Sequence, residues 1–170
     1  MRGFKHTFYE GGIRVPLVIR YPDLISKNSE LDIPIYFADL LPTIAEMTNS
    51  IIGVPKEIDG HSFINNMTSE NRYSYEKAMY WELPAYEWRN SRYPENRLQQ
   101  AVRIGDWKML RHAKDEKWEL YNIAKDASER VNLAIKFPDK INEMEKWIIE
   151  NRKESIHQIE PTMENGKWYR

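Results

Sequence analysis

Few residues of this chain are placed to do chemistry. Lys5 precedes Glu10-Gly11-Gly12, a backbone-permissive break, so an ammonium sits near free backbone donors and makes an anion-site candidate. Gly11-Gly12 is too short for a phosphate-cradling loop of P-loop spacing. His6, His61, His112 and His157 stand far apart, and none has the close i+3 or i+4 partner of a helical zinc site. Asp23, Asp32, Asp39, Asp115 and Glu116 read as caps and solvated faces, since no spacing sets two of them across a cleft. No serine occupies a G-x-S-x-G elbow, which argues against a hydrolase triad of that kind. Tyr80, Trp81, Tyr86, Trp88 and Tyr93, interleaved with Arg89, Arg92 and Arg97, could stack a sugar ring and meet an anionic group on it. The plainer reading divides these aromatics between core and surface. Asn66-Met67-Thr68 is a glycosylation sequon, relevant only in a eukaryotic secretory setting.

The elements that must position these groups fall into two units. Residues 17–21 (Leu17 to Tyr21), with Pro16 at the start and Pro22 after, form a near-continuous apolar run that fits a central strand of a parallel sheet. A helix follows from Asp39 as cap, with Phe37, Leu40, Leu41, Ile44 and Met47 on one face. Residues 65–77 are polar and turn-rich, a connector between units. Beyond it, strands are expected over 78–83, 99–104, 107–112 and 117–122. Gly105-Asp106 is a type II′ hairpin signal between the second and third. Asp126 to Glu129 has capping-box spacing. Phe37-like apolar periodicity returns in Phe137, Ile141, Met144 and Ile148, which predicts an amphipathic helix over 138–151. The second unit is thus a four-stranded antiparallel meander covered by a terminal helix.

Composition narrows the function classes. The 170 residues carry 25 Lys+Arg against 26 Asp+Glu, a net charge of -1, which argues against a counterion-releasing nucleic-acid binder. No apolar run reaches the roughly 18 residues of a spanning helix, and Met1 to His6 carries no apolar core of the signal-peptide kind. With no cysteine, disulfides, thiolate nucleophiles and Cys-ligated zinc are excluded. Six Trp and ten Tyr supply the large buried areas of a folded piece.

Several blocks together resemble a known family. Lys5-His6-Thr7-Phe8-Tyr9-Glu10-Gly11-Gly12-Ile13-Arg14-Val15-Pro16 resembles the second signature region of the sulfatases, K-x-x-x-Y-E-G-G-x-R-x-P. Asp39-Leu40-Leu41-Pro42-Thr43 and Asp59-Gly60-His61-Ser62-Phe63 resemble the family's D-L-x-P-T helix start and D-G-x-S turn. Tyr80-Trp81-Glu82, Gln100 to Lys108, Glu119-Leu120-Tyr121-Asn122 and Asp126 to Ala134 follow in the family's order. The likeness is to arylsulfatases and N-acetylgalactosamine-6-sulfatase-like enzymes.

The resemblance implies an alkaline-phosphatase-like α/β fold. Residues 1–70 would be the C-terminal end of the α/β catalytic domain, and 71–170 an α+β C-terminal subdomain. It also implies hydrolysis of a sulfate ester on an aryl or sugar substrate. In that chemistry a formylglycine hydrate, made from Cys or Ser in C/S-x-P-x-R, attacks sulfur. Calcium and cationic side chains hold the sulfate oxygens. The matching lysine contacts sulfate, so Lys5 takes that role here. Glu10 and Arg14 would ion-pair to hold the turn, with Gly11 and Gly12 allowing its tight backbone. His61, Trp81, Glu82 and Gln100 are weaker substrate-facing candidates. The C/S-x-P-x-R motif and the calcium-binding aspartate blocks do not occur in this sequence, and Ser91 to Arg97 has the wrong spacing. The expectation is therefore the C-terminal third of a sulfatase, inactive alone, whose partners are a sulfated small molecule or glycan and the N-terminal sulfatase portion. Two other readings stand beside it: a non-catalytic carbohydrate- or protein-binding module, or the complementing half of a split sulfatase. The resemblance alone suggests an exported protein, whether periplasmic, secreted or lysosomal.

Overall fold

The structure, a computed structural model, describes residues 1–50, 55, 57–68, 77–84, 98–153, 163–164 and 167–168. Four strands, β1 (Met79–Pro84), β2 (Leu98–Ile104), β3 (Trp107–Arg111) and β4 (Glu119–Asn122), pair antiparallel in the order β1-β2-β3-β4. This is the meander read from the alternating sequence. Ile104 pairs with Trp107 across the β2–β3 turn. Gly105 there has φ 56°, the positive first angle that a type II′ hairpin requires. A short ribbon, β5 (Met163–Glu164) with β6 (Lys167–Trp168), pairs antiparallel near the end of the chain.

Because strand residues alternate between faces, the sheet has two different cores. Val102, Met109 and Leu120 face helix α4 (Pro138–Asn151), which buries Met144 and Ile148 and lays Ile141 and Trp147 alongside. Phe137 stacks edge-on against Trp107 at 5.2 Å. Proline in the first turn suits the helix start, where no intrahelical N–H is needed. The opposite face carries Ala101, Leu110 and Tyr121, and here the cover comes from the start of the chain: Phe8, Tyr9 and Ile13. The expected two layers are therefore three, and contacts cross the expected unit boundary at residue 70.

Three local expectations are corrected, and the strand expected at 17–21 finds no partner among the described residues. Residues 17–21 lie in no helix or turn; a ladder needs a partner's backbone groups. A 3-10 turn (Phe37–Asp39) leads into α2 (Leu40–Met47), yet this helix buries Thr43 and Ala45 and exposes Phe37, Leu41 and Ile44. Its inward face is held by hydrogen bonds: the Thr43 hydroxyl donates to the Asp39 carbonyl (2.6 Å) and accepts from the Phe63 N–H (3.2 Å). The connector begins with a helical turn, α3 (Ile64–Thr68), and the sequon's Asn66 is buried in it. Asp126 starts no helix. Its carboxylate accepts the N–H groups of Arg130 (2.7 Å) and Val131 (2.9 Å) and closes a loop, with Glu129 in left-handed backbone at φ 53°.

What fastens the first layer to the sheet is a buried charge cluster. Lys108 of β3 is fully buried, with its Nζ 2.8 Å from Glu10 Oε1 and 2.8 Å from Glu129 Oε1. The Glu10 contact is a directed hydrogen bond. Glu129 Oε1 receives no bond of acceptable angle, so that contact is charge attraction alone. Glu129 Oε2 accepts the Glu10 N–H at 2.7 Å, and α1 (Glu10–Ile13) is thereby held from both its backbone and its side chain. Removing the cation strands two carboxylates in the interior, and breaking a buried pair costs about 3–5 kcal/mol. Lys108→Met is expected to lose that much unfolding free energy in urea denaturation of the 170-residue chain; a loss below about 1 kcal/mol would show that the cluster is not an anchor.

Candidate functional site

Lys5 sits at the exposed tip of a tight turn whose base is the cluster just described. The Thr7 N–H and hydroxyl both donate to the Phe4 carbonyl, at 3.0 and 2.7 Å, and the Phe4 N–H donates back to Thr7 Oγ1 at 3.2 Å. Gly3 at φ 80° and His6 at φ 75° take the left-handed backbone that such reversal needs. Lys5 itself makes no ion pair among the described residues.

Gly11 and Gly12 serve close approach rather than a permissive break. They lie inside α1, and the Gly11 N–H donates to the Arg2 carbonyl at 2.7 Å. A Cβ on Gly11 would stand 2.5 Å from that oxygen, and one on Gly12 only 2.0 Å from the Thr7 carbonyl oxygen. The expected Glu10–Arg14 ion pair is replaced by Glu10–Lys108. Arg14 is exposed, and its link to Glu10 is a backbone N–H to carbonyl bond of 2.9 Å. The reason is geometric: Lys108 projects from the sheet directly under the turn, where Glu10 is already desolvated.

Beside the turn lies a second polar network that sequence reading missed. Arg2 lies over the Tyr9 ring at 4.0 Å and donates to the Tyr121 hydroxyl (2.8 Å) and the Glu129 carbonyl (3.2 Å). The Tyr9 hydroxyl donates to Glu119 Oε2 at 2.8 Å and stands 3.0 Å from His112 Nε2. Burial first, then the Glu119 carboxylate, pushes the Tyr9 and Tyr121 phenols well above their ordinary range. Both hydroxyls stay protonated and act as donors. Period-2 spacing of Glu119 and Tyr121 was the signal available for finding this pair.

The weaker candidates separate. His61 is exposed, and its N–H donates to Asp39 Oδ1 at 2.8 Å. The same buried carboxylate accepts the Tyr36 N–H (2.8 Å) and pairs with Lys77 Nζ (3.3 Å), so Asp39 joins the helix start to the Asp59-Gly60-His61 turn. A Cβ on Gly60 would lie 1.9 Å from the Ala38 carbonyl oxygen, which fixes glycine there. Trp81 meets Tyr36 edge-on at 5.5 Å on the sheet face that carries the N-terminal layer. Tyr80 points the other way, toward α4, so the two cannot share one stacking platform. Tyr86, Trp88, Tyr93, Arg89, Arg92 and Arg97, like His157, lie outside the described residues.

Glu82 and Gln100 belong to a clamp between the sheet and the end of α4. Arg152, just beyond the helix, forks onto Glu82 with Nε–Oε2 2.7 Å and Nη2–Oε1 2.9 Å. The Tyr80 hydroxyl and Gln100 Nε2 also donate to Glu82 Oε2. Buried Gln100 accepts from Arg111 Nε at 2.9 Å. Burial would raise the Glu82 carboxyl, but the Arg152 fork and the Tyr80 hydroxyl outweigh it and hold it below its usual value. Burial and the bond to Glu82 push Tyr80 up to about 12. Among the described residues no three His, Asp or Glu side chains converge in a cluster.

A carboxyl held low in the folded state contributes stability above its unfolded value, near 4.5, and that contribution fades as pH falls through the folded value. The chain is therefore expected to lose stability below about pH 4.5, and Glu82→Gln to be less stable than the parent at about pH 7 but nearly equal to it at about pH 3. Thermal unfolding across that range checks this; a constant difference at all pH values would remove Glu82 from the account.

Comparison with known proteins agrees with this geometry. Residues 3–158 match the family model for the N-sulphoglucosamine sulphohydrolase C-terminal region. A sulfatase of Formosa agariphila is 32% identical over 164 residues, covering 86% of this chain and 29% of that protein. Arylsulfatase K of Danio rerio is 29% identical over 149 residues, covering 85% and 27%. A protein solved in complex with its substrate, D-glucosamine-2-N,6-O-disulfate, superposes with a TM-score of 0.62 at 25% identity, covering 85% of this chain and 29% of that one. The chain thus spans less than a third of the length of these relatives. With the turn, the meander and its covering helix in place, and with the fold that of alkaline-phosphatase-like sulfatases, this chain belongs to the sulfatase family of sulfuric ester hydrolases and corresponds to the C-terminal portion of its members.

Proposed function

We propose that this chain serves the hydrolysis of sulfate esters on a sugar or aryl compound by presenting Lys5 to the sulfate, and that alone it turns over nothing. The observation that carries this reading is the setting of Lys5: an exposed ammonium at the tip of a turn whose base is locked by Glu10, Lys108 and Glu129. A sulfate ester gains negative charge on its oxygens as the S–O bond breaks, and a preplaced ammonium stabilises that charge without reorganising at the moment of reaction. The buried cluster of Glu10, Lys108 and Glu129 supplies the preplacement. The formylglycine nucleophile and the calcium ligands are to come from the N-terminal sulfatase portion, since C/S-x-P-x-R is absent from these 170 residues. His61 and Trp81 are the better placed of the remaining candidates for touching substrate. Glu82 and Gln100 are proposed as framework, because their polar atoms are engaged within the clamp. The binding-module reading has less support, because Tyr80 and Trp81 face opposite ways.

Two measurements test the proposal. The purified chain, given an aryl sulfate and calcium, is expected to release no sulfate; turnover by the chain alone would refute its inactivity. A graft that replaces the matching C-terminal region of the Formosa agariphila sulfatase with this chain is expected to hydrolyse that protein's own ester. Lys5→Ala in the graft should lower kcat by about 100-fold or more, with the unfolding midpoint unchanged because Lys5 is exposed. An inactive graft overturns the functional reading, and an active Lys5→Ala graft overturns the role of Lys5.

A further inference from the structure

The buried cluster fixes α1 from Glu10 onward, but Lys5 stands before it, at the tip of the turn. Both ends of that turn are anchored. The Arg2 carbonyl accepts the Gly11 N–H, and Phe8 and Tyr9 are buried against the sheet. The bonds between Phe4 and Thr7 only close the turn on itself. Among the described residues, a single hydrogen bond joins residues 4–7 to the sheet: Gln99 Nε2 of β2 donates to the His6 carbonyl at 3.3 Å. Gln99 reaches this layer by alternation, since it precedes Ala101 by two residues and shares its face.

His6 is where such a bond acts on Lys5. Its φ of 75° is left-handed backbone, which a residue with a Cβ keeps only where its surroundings hold it there. Gly3, at φ 80°, has no Cβ to strain. The bonded oxygen belongs to the peptide that leaves His6, so holding it keeps His6 in the left-handed region. Relaxation of His6 to negative φ would rotate the Lys5–His6 peptide against the rest of the turn and carry the Lys5 side chain with it. We propose that Gln99 is a positioning residue for Lys5: its amide holds the His6 carbonyl and thereby sets the direction in which the Lys5 ammonium is presented. This rests on the proposed function for what Lys5 meets, and on the turn alone for how Lys5 is held.

Two readouts separate these. In the free chain, 15N relaxation is expected to give the Lys5 and His6 amides order parameters of about 0.85, falling below about 0.6 in Gln99→Met, which keeps the side-chain length but has no donor. Gln99→Glu, of the same shape and without a donor when ionised, should behave alike, whereas Gln99→Arg, which donates, should keep the ordered value. In the graft described above, Gln99→Met is expected to lower kcat by about 10-fold, and Lys5→Ala should then cost only about 10-fold instead of about 100-fold, because a displaced ammonium has less to lose. Order parameters unchanged in both donorless variants, or equal Lys5→Ala losses with and without Gln99, would overturn the proposal. A turn that loosens as expected, beside a parent graft that hydrolyses nothing, leaves Gln99 as the residue that positions Lys5 and removes the functional reading.

Discussion

A lysine ammonium enters a protein interior only where its charge is answered, and Lys108 is answered by two glutamates from distant parts of the chain. Everything at the start of the molecule depends on this contact. It places α1 on the sheet, and α1 in turn fixes the turn that carries Lys5. The cluster is net negative, and Glu129 stays in left-handed backbone to reach it. A buried pair of this kind contributes less stability than well-packed apolar groups would. Its value lies in fixing one arrangement of the N-terminal layer, because Lys108 is the cation that Glu10 meets on this sheet face.

The same logic recurs at two other places. Asp39 gathers the Tyr36 and His61 N–H groups and the Lys77 ammonium around one buried carboxylate. Glu82 gathers Arg152, Tyr80 and Gln100. Four of the short blocks that resembled the sulfatases contain, or end on, a buried polar group satisfied by another block. Glu10 belongs to the first, Asp39 to the second, Lys108 to the hairpin and Glu129 to the last. The blocks look independent along the chain and are coupled in space.

Local periodicity made much of the second unit legible. Alternation gave the strands, Gly105 gave the hairpin, and apolar spacing gave α4. Two readings turned on a partner that periodicity does not name. The apolar stripe of α2 faces outward because Thr43 and Asp39 hold the inner side. The apolar run at 17–21 has strand composition but no ladder among the described residues. Period-2 spacing did carry one message that composition hid: Tyr80 and Trp81, adjacent in sequence, cannot act on the same face.

The sequence by itself determined the family, the meander, the terminal helix and the candidacy of Lys5, since each rests on residues close together in the chain. Only the tertiary structure decided that Glu10 pairs with Lys108 rather than Arg14, that Glu129 joins them, and that Glu82 and Gln100 form a clamp to Arg152. The reason is separation: Glu10 and Lys108 lie 98 residues apart, and Glu82 and Arg152 lie 70 apart. Ion pairs over such distances leave no spacing to read, and the burial that makes them specific exists only once the layers have packed.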